Sequence, residues 1–89
     1  MISKTTRRFR EGLAALPSDI QHRARHAYQL FRTNPQHPSL HLKTVHPTEP
    51  IVSVRISLGY RALGVREGET IVWFWIGSHS EYELLLTRL

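Results

Sequence analysis

Apolar residues recur at helical spacing in the first third of the chain and at strand spacing after Pro50. Phe9, Leu13 and Leu16 fall on one face of a segment from about Arg7 to Leu16, which Thr5 and Thr6 can cap and Pro17 ends. Ile20, Ala24, Ala27, Tyr28 and Phe31 repeat with the same period. They predict a second helix, capped by Ser18 or Asp19 and stopped at Asn34-Pro35, because a proline ring disfavours helical geometry in the residue before it. The other side of that helix carries His22, Arg23, Arg25, His26 and Arg32. An αα-hairpin is the expected outcome.

Past the connection NPQHPS, the residues Leu40–Val45 alternate weakly and predict an edge strand. Ile51–Leu58 alternates clearly, with Val52, Val54, Ile56 and Leu58 on one face and Ile51, Ser53, Arg55 and Ser57 on the other. Gly59 marks a turn, Tyr60–Arg66 a returning strand, Glu67-Gly68-Glu69 a second turn and Ile71–Ile76 a third strand. Gly77-Ser78 breaks the pattern, and a closing helix from Ser80 to about Thr87 carries Tyr82, Leu85 and Leu86. The fold class expected is α+β: an N-terminal helical hairpin packed on a three- to four-stranded antiparallel sheet, with a short C-terminal helix.

A length of 89 residues without repeat or linker makes a single domain, 1–89. With no cysteine, neither a disulfide nor a thiolate nucleophile is available. MISKTTRRFR lacks the apolar core of a signal peptide, and Ile71–Gly77 is too short to span a bilayer, so a cytoplasmic protein away from membranes is expected. Twelve Lys and Arg against seven Asp and Glu give a net charge of +5, which favours a polyanionic partner.

Four local strings, in this order, carry a resemblance. FREGLAALP opens the helical hairpin, AYQLFRTNPQHPSLHLKTV leads into the sheet, VSVRISLGYRALGV is an arginine-bearing hairpin, and WFWIGSHSEYELLL joins the last strand to a His–x–x–Tyr segment and the closing helix. Together they resemble the RelE/ParE toxin superfamily over nearly the whole chain. The resemblance implies the toxin half of a type II toxin–antitoxin pair, silenced by an antitoxin expected to be acidic. RelE-like members cleave messenger RNA without metal, often on the ribosome, ParE-like members poison DNA gyrase, and some relatives are inactive. The sequence departs from the pattern in an N-terminus short for the customary first strand, and in having only two lysines, Lys4 and Lys43.

Metal-free RNA cleavage needs a proton acceptor for the 2′-OH, charge to stabilise the phosphorane, and a proton for the leaving 5′-oxygen. His79 is the candidate acid/base, and Tyr82, one helical turn on, is placed to position the nucleotide. If Ser57–Gly59 form the turn, Arg55 and Arg61 face each other across the hairpin, an arrangement suited to an anion between them. Lys43 is a further phosphate-binding candidate, and Glu49 is the one acid assigned near the site. His22 and His26 have the spacing of a bidentate clasp, but no third ligand is evident, so neither metal nor other cofactor is expected. The competing expectations are a gyrase binder and an inactive member that only pairs with an antitoxin. Leu63, Val65, Val72 and Phe74 are expected to share a face that the closing helix only partly shields and on which the antitoxin docks.

Overall fold

The computed structural model describes residues 1–89. In chain order it contains β1 (Ile2–Thr5), α1 (Arg7–Ala14), α2 (Ser18–Thr33), one turn of 3-10 helix (Pro38–Leu40), β2 (Lys43–Thr44), β3 (Ile51–Ser57), β4 (Tyr60–Glu67), β5 (Thr70–Ser78) and α3 (His79–Leu86). The α+β class read from the sequence is the one found, with five strands in the order β1-β5-β4-β3-β2. All neighbours are antiparallel except β1 and β5.

The additional strand is β1. Its residues ISKT hold one apolar side chain, Ile2, and that one faces solvent, so no apolar alternation announces it. Backbone pairing holds it instead, from Ile2 opposite Thr70 to Thr5 opposite Trp73. The indole N–H of Trp73 adds a 2.7 Å hydrogen bond to the Ser3 hydroxyl. The short N-terminus thus still supplies an edge strand.

Both N-terminal helices cover one face of the sheet, α1 lying on β5 and α2 on β3. Thr6 caps α1, its hydroxyl accepting from the Phe9 amide at 3.1 Å. The helix ends at Ala14, two residues before the expected Leu16. Pro17, rather than Ser18 or Asp19, occupies the cap position of α2 and offers no side-chain hydrogen bond; Asp19 instead sits in the first turn, where a carboxylate suits the helix dipole. Each helix packs more on the sheet than on its partner, so the hairpin is splayed and leaves a cleft of about 430 Å³ floored by Val54, Ala62 and Trp73.

The main core lies beneath these helices. Ala24, Ala27, Phe31 and Leu40 meet Val52, Val54, Ala62, Ile71, Trp73 and Ile76. Phe31 and Trp73 make an edge-to-face pair, centroids 5.3 Å apart. Gly64 permits this packing: a Cβ there would stand 2.7 Å from both Ile71 Cγ2 and Trp73 Cε3. The expected strand over residues 40–45 is only Lys43–Thr44, because Leu40 turns into the core within the 3-10 turn. Leu58 is 82% exposed at the β3–β4 tip rather than on the apolar face of β3.

The opposite face is covered by α3. Tyr82 packs with Ile51 and Leu63, flanked by Val65, Phe74, Trp75, Leu85 and Leu86. Val72 pairs with Val65, so Leu63, Val65, Val72 and Phe74 do share this face, with Leu63 fully buried and the other three half-buried. Strand β5 does not end at Ile76. Phe74 is an extra residue between the Leu63–Trp75 and Gly64–Trp73 pairs, and beyond that bulge the ladder continues to Gly77 opposite Arg61 and Ser78 opposite Tyr60.

Candidate functional site

The register of β3 and β4 decides which side chains meet. Ser53 lies opposite Leu63 and Arg55 opposite Arg61, while Lys43 on β2 lies opposite Ser53. Directly paired residues point to the same face, so Lys43, Ser53, Arg55 and Arg61 all lie on the α3 side of the sheet. A bulge follows at once, between Arg55 and Ser57.

The first turn of α3 delivers the other two side chains. Ser78 caps it through a reciprocal box: its hydroxyl accepts from the Glu81 amide at 3.2 Å, and the Glu81 carboxylate accepts from the Ser78 amide at 3.2 Å. The His79 amide donates to the Gly59 carbonyl at 2.7 Å, which ties the start of α3 to the β3–β4 turn. Tyr82 follows one turn later, buried. The Arg61 guanidinium carbon lies 5.6 Å from the centre of the Tyr82 ring, and the His79 and Tyr82 rings are 5.7 Å apart, tilted by 32°. Gly77, across from Arg61, has no room for a side chain, since a Cβ would lie 2.6 Å from Trp75 Cζ2.

Several polar atoms in this cluster are buried without a hydrogen-bond partner: Arg61 Nε and Nη1, His79 Nδ1 and the Tyr82 hydroxyl. Such groups ordinarily find partners, and each one left without costs stability. His79 Nε2 lies 3.1 Å from a Glu83 carboxylate oxygen. A carboxylate can only accept, so Nε2 carries a proton and Nδ1 of the neutral ring is a bare acceptor. The cluster therefore presents two guanidinium donors, a hydroxyl, and an imidazole acceptor. That combination complements an oxyanion with a proton-bearing group beside it.

The residues singled out in the sequence divide accordingly. His79, Tyr82 and Arg61 come together. Arg55 shares their face, and its Nη1 donates to His41 Nε2 at 3.3 Å, with His41 held in the left-handed region at φ 47°. Lys43 is on the same face but stands exposed on the outer strand, one row from Arg55. Glu49 is not near the cluster; its amide donates to His46 Nδ1 at 2.9 Å in the loop before β3. His46 also meets the Leu89 backbone oxygen at 2.9 Å, and His37 caps the 3-10 turn, so both are structural. No third His, Cys, Asp or Glu joins His22 and His26. Two contributors were not singled out. Glu83 had a legible signal, its i, i+4 spacing from His79, whereas His41 had none, because its contact with Arg55 crosses a loop.

No helix is long and apolar enough to cross a membrane. A family model described as a ParE-like toxin domain matches residues 18–84. No curated protein sequence is significantly similar. Among solved structures, a chain of the RelB–RelE antitoxin–toxin complex from Methanococcus jannaschii superposes with a TM-score of 0.75 at 14% identity, covering 92% of this chain and 96% of that one. The isolated Escherichia coli RelE toxin matches with a TM-score of 0.63 at 15% identity, over 99% and 98% of the two chains. A chain of the toxin–antitoxin complex RelBE2 from Mycobacterium tuberculosis matches at 0.61 and 22% identity, over 88% and 96%. At these identities the likeness establishes the shared fold.

Proposed function

The chain belongs to the ParE-like toxin family of the RelE/ParE superfamily, and from that premise we propose that it is the RNA-cleaving toxin of a type II toxin–antitoxin pair. The observation that carries this reading is the clustering of buried, unpartnered groups around the start of α3: Arg61 Nε and Nη1, His79 Nδ1 and the Tyr82 hydroxyl, with the Ser53 hydroxyl a fifth such atom further along the same face. A phosphodiester would accept from the Arg61 N–H groups and its neighbouring 2′-OH would donate to His79 Nδ1, once the side chains that bury these atoms part to admit the strand.

In the proposed reaction, His79 Nδ1 takes the proton of the 2′-OH as the 2′-oxygen bonds to phosphorus. Arg61 and Arg55 hold the charge of the pentavalent phosphorane. The P–O5′ bond then breaks, and the imidazolium returns its proton to the 5′-oxygen, leaving a cyclic phosphate and a free 5′-hydroxyl. Glu83 favours the working tautomer of His79 by accepting from Nε2. Tyr82 positions the nucleotide, and Lys43 meets a neighbouring phosphate. No step needs a metal or other cofactor.

The proposed partner is an acidic antitoxin, in keeping with the net charge of +5 and with the antitoxin complexes of two structural relatives. It would dock over Val65, Val72 and Phe74, which α3 leaves half-exposed. The description of the matching family model, ParE-like, favours a second reading in which the chain binds gyrase instead. Induction in a bacterial host separates them. New RNA 5′ ends with intact DNA support RNA cleavage, DNA damage with intact messenger RNA replaces it with the gyrase reading, and harmless induction without antitoxin marks an inactive member.

A further inference from the structure

We infer that the cavity between α2 and the free edge of β3 is a second nucleotide subsite, which holds a phosphate of the same RNA strand away from the one cleaved; this rests on the RNA-cleaving reading above. The cavity has a volume of about 550 Å³. Arg23 and His26 line it from α2, one helical turn apart, and Arg55 lines it from β3. No aspartate or glutamate reaches it. The side-chain ion pairs of the molecule, Arg7–Glu11 and His79–Glu83, lie elsewhere, so both arginines line the cavity without a counter-charge. Converging charge of one sign in a concavity attracts an ion of the other sign.

The fold explains why the cavity is open and where it leads. Strand β2 pairs with β3 only at Val52 and Ser53, so from Arg55 onward β3 has no outer neighbour. Its edge from Arg55 to Ser57 and the turn that follows form the cavity wall. The same turn accepts the His79 amide at Gly59, so it separates the cavity from the His79–Arg61–Tyr82 cluster by a single loop. Arg55 belongs to both, opposite Arg61 on the ladder and lining the cavity with Arg23. The cationic side chains thus form a track from the cluster around the open edge of β3. Leu30, Leu40, Ile56 and Leu58 supply an apolar lining, which suits a sugar and base beside the phosphate better than a bare anion.

The test is fluorescence anisotropy with a labelled oligouridylate of about ten nucleotides, fully 2′-O-methylated so that it cannot be cleaved. The full chain is compared with R23Q/H26Q, with R61A, and with R7Q as a charge-loss control outside the track. Arg23 and His26 are exposed, so the double variant keeps its fold, and its melting temperature verifies this. The expected result is about tenfold weaker binding for R23Q/H26Q and a salt slope shallower by roughly 0.7 for each phosphate that the variant no longer neutralises, with R7Q near the parent. If R23Q/H26Q binds like R7Q, the subsite is overturned. If it loses affinity for a polyglutamate peptide and not for RNA, the cavity belongs to a protein partner and the subsite is equally overturned. If R61A binds like R7Q while R23Q/H26Q weakens, the subsite stands and it is the cleavage-site reading that fails.

Discussion

Arg55 and Arg61 stand directly opposite each other across the β3–β4 ladder, on the face that α3 covers. Like charges in that position destabilise a hairpin by a few tenths of a kcal/mol, up to about 1 kcal/mol. His41 accepts one Arg55 N–H, while two nitrogens of Arg61 have no partner. On the proposed reading, an anion held between the arginines would relieve both problems. Sulfate or phosphate should therefore raise the melting temperature of the parent more than that of Arg61→Ala. In low salt, Arg55→Thr should be slightly more stable than the parent while losing activity. Equal anion responses in parent and Arg61→Ala would remove the case for an anion site.

Glu83 is expected to act through His79 rather than on the substrate. Glu83→Gln can turn either its oxygen or its NH2 toward Nε2, so it no longer fixes which ring nitrogen carries the proton. It should lower kcat by about tenfold or more, with KM little changed. A residue with a merely structural role would instead lower the melting temperature and leave kcat of the folded protein unchanged. Both side chains are substantially exposed, at 45% and 65%, so the melting temperature should barely move.

Ser78 holds the turn that carries His79 and Tyr82. Replacing a capping serine by alanine typically costs about 1 kcal/mol. Ser78→Ala should therefore melt a few degrees lower and show faster amide exchange at Glu81, whose N–H loses its acceptor. Unchanged exchange there would mean that the box contributes nothing.

Two glycines should respond oppositely to alanine. At Gly64 the new methyl would stand 2.7 Å from Ile71 and Trp73, and overpacking of this kind costs about 1–3 kcal/mol. At Gly59 nothing lies within 4 Å of the added carbon, and Gly59→Ala should be near neutral. Chemical denaturation of the two variants, followed by tryptophan fluorescence, measures the difference.

What the sequence made legible follows from which forces leave a periodic trace. The alternation of Val52, Val54 and Ile56 reflects burial on one face, and it located β3 and the Arg55–Arg61 pairing. Strand β1 leaves no such trace because Ile2 faces solvent and the strand is held through its backbone. The extension of β5 through Ser78 was hidden because Gly77-Ser78 reads as a break, whereas Gly77 stays in the ladder and its missing side chain makes room for Trp75. In the cluster, His79 and Tyr82 were readable because both lie in one short segment. The cavity was not, since Arg23 and Arg55 are brought together only by the packing of α2 on β3.

The central claim is that the Arg61, His79 and Tyr82 cluster cleaves RNA. Its most direct test incubates the purified chain with single-stranded RNA and identifies the termini of the products. Cyclic-phosphate ends are expected, undiminished by chelator. Rates should be about a hundredfold or more lower for Arg61→Ala, and on the order of a hundred- to ten-thousandfold lower for His79→Ala, with both variants folded. Cleavage at the parent rate by both variants, or no cleavage by the folded parent on RNA either free or ribosome-bound, would contradict it.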